Sequence, residues 1–452
     1  MPTIIGGIFF IFGLYYFFLK EEGLLGLLII ASVFQASSAV NIAERGIQPC
    51  YVIATFIIAR AIVNYTLGVR LKKIMPKNNW LLLFGVIAVV SAFILPVIFS
   101  GIPVYDPKGG IDEGGTMRPP LRFGLNNVAQ AGFLIWHIVT VYALLAIKFS
   151  AKKTYKAYIW AFYLIVIFVA AQSICQLVGI PFPDSLIRNN PGYGMSDPRF
   201  MSNGLRSPGT FAEPSFAGAF LVFYCVGFMA EYLEGKGSVA RVLVSIVANG
   251  IVASSGSLFA LFLCVLALFV RYFPYRIPWY INIRRTKKLA LISFVVVAPM
   301  VLGLLVSSAS RRILIEYTVA KGDSSSFFNR TAADLYALQL LPRTGWIGVG
   351  LGSNRGSSLI TTLLSNVGIV GVLAFCMFYF GVFFKLPREY AWYRWASFAL
   401  FLNMCIDVPD VTFPMFWISI MLAVQFIEDK RLIYPSLQKP IWHVGHAGKL
   451  VL

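Results

Sequence analysis

Between Arg199 and Phe220 the sequence reads RFMSNGLRSPGTFAEPSFAGAF, and it sets Glu213 and Pro214 directly before an apolar run that begins at Ser215. Arg188, Arg199 and Arg206 precede that carboxylate. Guanidinium groups grip phosphate oxygens in a bidentate fork, and a carboxylate beside them can take a proton from a hydroxyl. The pair suits transfer of a group from a phosphate-linked donor. Where the loop meets a membrane surface, the anion that fits is a lipid-linked pyrophosphate, with Glu213 acting on a sugar hydroxyl.

A second polar stretch, FFNRTAADLYALQLLPRTGWIGVGLGSNRGSSLITTLL, reads as a helix carrying Arg330, a stop at Pro342, and a turn with glycines at 345, 348, 350 and 352. Such glycines let a backbone bend tightly and come close to a ligand, which nominates Gly350 and Gly352. A merely flexible loop is the plainer alternative. No Walker-type Lys follows the turn, so nucleotide hydrolysis is unsupported.

These residues need a scaffold, and the composition says which kind. Mean hydropathy is +0.76, 13% of residues are charged and 15% are aromatic, far from the roughly 25% charged of soluble domains. Hydrocarbon-length apolar runs recur from end to end, continuous rather than alternating, which excludes a β-barrel. The expected fold is an all-α polytopic membrane protein with about 11–13 transmembrane or half-spanning helices. It forms a single domain over residues 1–430, with large external loops near 100–125, 180–214 and 307–357 and a cytoplasmic tail at 431–452. The net charge of +19 does not imply nucleic acid, because the cations are scattered in short loops. The first apolar run lacks a basic start and a small-residue cleavage site, and is read as a retained span. The six cysteines lie in or beside apolar runs without metal-site spacing, so neither disulfides nor zinc is expected.

The runs place spans at Ile4–Leu19, Leu24–Val40, Cys50–Leu67, Trp80–Phe99, Val128–Ile147, Tyr158–Val178, Ser215–Tyr232, Leu289–Val306 and Ser358–Phe384. Val242–Val270 is interrupted by Ser254-Ser255-Gly256-Ser257, which suits two short helices or a re-entrant hairpin better than one long span. Two shorter segments flank Asp407-Val408-Pro409-Asp410. Those aspartates resemble an acid pair but are read as an ordinary external turn.

Lys/Arg bias orients the chain. With Lys72, Lys152, Lys236, Arg285, Lys385 and Lys430 in the cytoplasm, the loops alternate consistently. The external loops then still hold Arg188, Arg199, Arg206, Arg311, Arg312, Arg330, Arg343 and Arg355. Cations are disfavoured there, and arginine rather than lysine is what remains. Loop salt bridges are the alternative to phosphate binding.

Several of these elements resemble the O-antigen polymerase and O-antigen ligase superfamily. The similar features are Arg-x-x-Gly-x-Phe at Arg206–Phe211, the order Arg330, Pro342, Gly348, Gly350, Gly352, the Ser254-Ser255-Gly256 break, and the closing Pro414-Met415-Phe416-Trp417. Glu213-Pro214-Ser215 is most similar to the exopolysaccharide polymerase branch, and the resemblance runs from about Arg199 to the end. It implies a GT-C-like, metal-independent membrane glycosyltransferase without a cofactor. Such an enzyme moves a growing glycan from undecaprenyl diphosphate onto the next lipid-linked repeat unit, on the outer face of the bacterial cytoplasmic (inner) membrane. It also implies membrane lipids and a chain-length regulator as partners, and no nucleic acid. Superfamily ligases place a His just after the glycine turn, whereas Ser353–Ser358 here has none, which favours polymerase over ligase.

Breaking a sugar–pyrophosphate bond leaves negative charge on the diphosphate and positive character at the anomeric carbon. Without a divalent cation, arginines in a poorly screened site must steady that charge. Arg206 and Arg330 are the first candidates, Arg355 the next, and Arg311 or Arg312 follow. Glu213 is the candidate base, its alternative being an acid favoured by the α-helix dipole. Arg60 lies within an apolar run and is read either as a structural ion pair or as a contact to the carrier lipid. His137, also within a span, is read as a hydrogen-bonded helix contact. The rival class is a flippase for the lipid-linked repeat, although no internal repeat is visible.

Overall fold

The computed structural model describes residues 1–42, 45–69, 79–106, 118–193, 206–272 and 325–433. Arg199, Arg311 and Arg312, the span at Leu289–Val306 and the segment 434–452 lie outside these residues.

The described chain forms a helical bundle, and seven helices are long and apolar enough to cross a membrane. It is a multi-pass membrane protein. In chain order the helices are α1 (Ile4–Leu19), α2 (Leu24–Ser32), α3 (Pro49–Thr66), α4 (Trp80–Ile98), α5 (Leu125–Ala143), α6 (Ala151–Val178) and α7 (Asp184–Ile187). They continue with α8 (Pro214–Leu233), α9 (Val239–Val252), α10 (Ser255–Tyr272), α11 (Ser325–Arg343), α12 (Leu359–Phe384), α13 (Ala391–Asp407) and α14 (Pro414–Ile433). A small antiparallel hairpin pairs Val40–Ile42 (β1) with Arg45–Ile47 (β2), in the register Val40 opposite Ile47.

The chain runs back and forth between two ends. At one end are the starts of α3, α5, α8, α12 and α14 and the whole of α11. At the other is the turn between α1 and α2, where Glu21 meets Arg60 and the backbone near Lys148. The main core is aromatic, with Trp417, Tyr158, Tyr224, Tyr379, Phe220 and Phe223 fully buried. A smaller core of Tyr105, Leu121, Ala333, Tyr336, Leu340 and Val349 fastens α11 over the first of these ends.

α8, the central helix, is buried around nearly its whole circumference. Its start is fixed locally: Glu213 is extended at the N-cap, and Pro214 occupies the first turn, where its missing N–H costs nothing. α9 and α10 are separate helices, broken where Ala253 takes a left-handed conformation with φ 48°. Ser254 and Ser257 lie against Gly218 near the start of α8, while Tyr272 reaches Glu234 past its end at 3.4 Å. The broken run is therefore a helical hairpin whose tip sits beside the Glu213 end.

Two expectations need correction. The second span is helical only to Ser32, not to Val40. Residues 33–39 are unwound yet largely buried, because other parts of the chain satisfy their polar groups: Ala36 N donates to Thr210 O at 3.0 Å and Ser38 N to Asn189 Oδ1 at 2.9 Å. Non-helical backbone at that depth is tolerated when protein rather than lipid surrounds it. The last helix also continues to Ile433, into the stretch read as tail.

Candidate functional site

The loop before α8 is held by two glutamines late in α6. At 1.5 Å per residue α6 is about 42 Å long, more than the hydrocarbon thickness, so its last turns reach the loop. Gln172 Oε1 accepts from Gly209 N at 2.6 Å, and Gln176 accepts from Ser207 Oγ at 3.0 Å. Arg206, which is partly buried, is anchored there through its carbonyl, to which Gln176 Nε2 donates at 3.4 Å. The unwound segment contributes Gln35 Oε1, which accepts from Ala212 N at 3.0 Å.

Glu213 does not cap α8 with its side chain. Its carboxylate instead accepts from Ser215 Oγ at 3.2 Å and remains partly exposed. Close by is Tyr193, whose hydroxyl accepts from Gln48 Nε2 at 2.6 Å and whose ring faces Phe216 at 6.4 Å. Phe216 packs in turn on Phe413, 5.6 Å away in the turn between α13 and α14.

That turn carries the two acids that sequence reasoning dismissed. Asp407, buried at the end of α13, forms an ion pair with Arg330 and accepts from Ser254 Oγ at 3.0 Å. Gly256 must be glycine here, since a Cβ would come within 2.6 Å of the Asp407 carboxyl carbon. Asp410 Oδ1 accepts from Thr412 N at 2.8 Å and Thr412 Oγ1 at 2.7 Å, and Thr412 Oγ1 also contacts Gln130. Burial pushes the Asp410 carboxyl above its ordinary value, opposed by the Thr412 hydrogen bonds and by the charge of Arg355. Burial likewise raises the Tyr193 phenol, aided by the charges of Asp410 and Glu213. Arg330 and Arg355 thus attend the same Asp407–Asp410 turn, and Glu213 lies across Tyr193 from it.

The remaining predicted residues divide. Arg355 is partly exposed, and its amide donates to Tyr105 O at 3.3 Å. Arg188 is within the same end, but its side chain is only 2% exposed and donates to Asp184 at 3.1 Å and to Ala212 O at 3.2 Å. It acts as an internal strut of the loop. Arg60 belongs to the opposite end, where Nε lies 2.6 Å from Glu21 Oε2, so its partner is a carboxylate far from the other arginines. The close approach made by Gly350 and Gly352 is to the chain itself. A Cβ on Gly350 (φ 103°) would lie 2.7 Å from Ser91 O, and one on Gly352 (φ 80°) would lie 3.0 Å from Asn126 O.

The turn is further locked by Asn366, which binds both the Ser353 and Asn354 amides, and by Asp334, which accepts from Ser357 N at 2.7 Å. His137 Nε2 lies 3.1 Å from both Tyr51 Oη and Thr412 O, and its ring stacks on Trp417. It supports the α13–α14 turn from below. Among the described residues no group of three or more His, Cys, Asp or Glu side chains is placed to hold a metal ion.

Compared with protein-family models and with curated proteins, the chain gives no match. Its function is therefore argued from this site alone. The missed signal was in plain sight: Asp407 and Asp410 are ionisable residues between two apolar segments, and acids in such surroundings are expensive unless partnered or used.

Proposed function

We propose that the protein is a membrane glycosyltransferase of the GT-C-like kind, a polysaccharide polymerase. It transfers a growing glycan from undecaprenyl diphosphate to the next lipid-linked repeat unit on the outer face of the bacterial cytoplasmic membrane. The observation that carries the reading is the gathering of Glu213, Arg206, Arg330 and Arg355 at one end of the bundle, around a half-buried acid and a tyrosine.

In this reading the diphosphate lies against Arg330 and Arg355, with Arg206 at the loop side. The guanidinium groups take up charge as the sugar–phosphate oxygen bond breaks, in a setting where water screens poorly. The acceptor hydroxyl attacks the anomeric carbon and passes its proton to Glu213. The electron pair of the broken bond goes to the diphosphate, which leaves on the lipid. Asp407 holds Arg330 in place before the substrate arrives. The turn that bears Gly350 and Gly352 fixes Arg355 rather than touching the substrate.

The test is purified protein in a bilayer mimic with a lipid diphosphate oligosaccharide, in the presence of a chelator. A product ladder is expected from the wild type. Glu213→Gln inserts normally and gives no extension. A Glu213→Gln protein that still makes polymer of wild-type length ends the assignment of the base, and a strict requirement for magnesium or manganese ends the arginine reading.

A further inference from the structure

Asp410 differs from Asp407 and Asp334. Asp407 is joined to Arg330 and Ser254, and Asp334 accepts from the Ser357 amide and hydroxyl and the Ser358 amide. Asp410 uses only Oδ1, which takes both bonds from Thr412; Oδ2 accepts none among the described residues. The residue is partly exposed, and burial nevertheless raises its carboxyl above the ordinary value. An acceptor oxygen left without a donor in such a place loses its solvation unless something supplies one.

The neighbours share a character. Tyr193 Oη receives Gln48 Nε2, Gln130 meets Thr412, and the partly exposed ring of Phe216 lies between the rings of Tyr193 and Phe413. Fixed side-chain oxygens and amides next to aromatic faces match the surface of a sugar ring, whose hydroxyls lie at its edge and whose C–H bonds line its faces. They match a phosphate less well, because the Asp410 carboxylate repels it. Arg330 and Arg355 serve that charge instead.

We infer that Tyr193, Asp410, Thr412 and Gln130 form a subsite for one sugar ring of the lipid-linked substrate, in which Asp410 Oδ2 accepts hydrogen bonds from its hydroxyls while Phe216 and Tyr193 flank the ring. The inference rests on the proposed glycosyl transfer for its choice of ligand. It adds that recognition divides in two: arginines for the diphosphate and the α13–α14 turn for the sugar. Asp410 is a specificity residue here, and the ring it holds is neutral, because a uronic acid carboxylate would face Asp410 directly.

The experiment measures binding, so that it stands apart from the ladder assay. Wild-type protein in nanodiscs is titrated with a polyprenyl diphosphate and with the same lipid bearing a neutral oligosaccharide. The sugar is expected to tighten binding. Asp410→Asn keeps the shape and the Thr412 contacts but places an N–H where Oδ2 was. Loss of a hydrogen bond to a charged acceptor is worth about 10- to 100-fold in affinity. That factor is expected for the sugar-bearing lipid only, with bare polyprenyl diphosphate bound as by the wild type. Gln130→Leu, which leaves Asp410 intact, is expected to weaken the same ligand by a smaller factor.

Equal binding of the sugar-bearing lipid by wild type and Asp410→Asn overturns the inference, and so does an equal loss for both lipids. Sugar-dependent, Asp410-dependent binding without any ladder would keep the subsite and sink only the proposed reaction.

Discussion

Replacing Arg60 by methionine separates the architecture of this protein from its chemistry. Glu21 is 7% exposed and is served by three donors: Arg60 Nε at 2.6 Å, Asn64 Nδ2 at 3.0 Å and the Lys148 amide at 3.4 Å. Burial pushes its carboxyl up, but the bonds from Asn64 and Arg60, together with the charge of Arg60, hold it below its usual value. Breaking a buried ion pair from one side costs about 3–5 kcal/mol. Asn64 and the Lys148 amide remain after Arg60→Met, so about 3 kcal/mol is expected, at the low end of that range.

The reciprocal change, Glu21→Gln, strands Arg60, which is 23% exposed and can turn its guanidinium toward water. That change should cost only about 1 kcal/mol. The double variant should be less damaged than the sum, because neither charge is then left alone. The sign of the pH dependence follows from the lowered Glu21 value. Its stabilisation is present above the ordinary glutamate range and is lost as pH falls through the folded value, and Glu21→Gln abolishes that acid loss. Unfolding of the purified variants in nanodiscs, with polyprenyl diphosphate binding measured alongside, checks both points. The reasoning fails if Glu21→Gln is the more damaging change, or if Arg60→Met weakens lipid diphosphate binding at matched folding.

Asp410→Asn should raise thermal stability at neutral pH, because it removes the penalty of holding a charged acid where burial disfavours it. With a raised folded value the wild type loses stability as pH climbs from the ordinary aspartate range through the folded one, so the gap between variant and wild type opens with pH and closes in acid, as melting curves would record. Gly350→Ala should cost about 2–4 kcal/mol, from a left-handed backbone and a Cβ forced against Ser91 O, and a melt within 1 kcal/mol of wild type would refute the packing described for the turn. Arg330→Lys should keep the charge that meets Asp407 but lose the planar fork a diphosphate needs, lowering the rate of chain extension at least tenfold with protein abundance unchanged.

Apolar run length made most helices legible. α1 spans Ile4–Leu19 as read, and α4 and α8 differ from expectation by a residue or so, because lipid demands uninterrupted apolar helix and the sequence supplies it. The break after α9 was visible as serine and glycine within an apolar run. What stayed hidden depends on contacts between distant positions. Gln35 to Ser38 look like a tolerable polar patch in a span until Ile187, Asn189, Thr210 and Ala212 meet them. Arg188 looks like an anion ligand, and only the carbonyl of Ala212 shows that its side chain faces inward. The glycines of the second polar loop announce tight turns, but not whether their neighbour is a ligand or Asn366 and Ser91. Asp410 was passed over because a turn between two short helices explains an aspartate cheaply, and nothing local reveals Thr412, Tyr193 and Arg355 around it.

The unwound segment after α2 has a consequence for how the polypeptide is made. Its backbone and glutamine pair with Asn189, Thr210 and Ala212, which leave the ribosome only after α3 to α7 have been made. Until then residues 33–39 have only their early partners, Thr3, Ile47 and Gln48. A chain truncated before Thr210 lacks the partners of Ala36 N and Gln35 Oε1 and leaves the first half of the bundle unfinished.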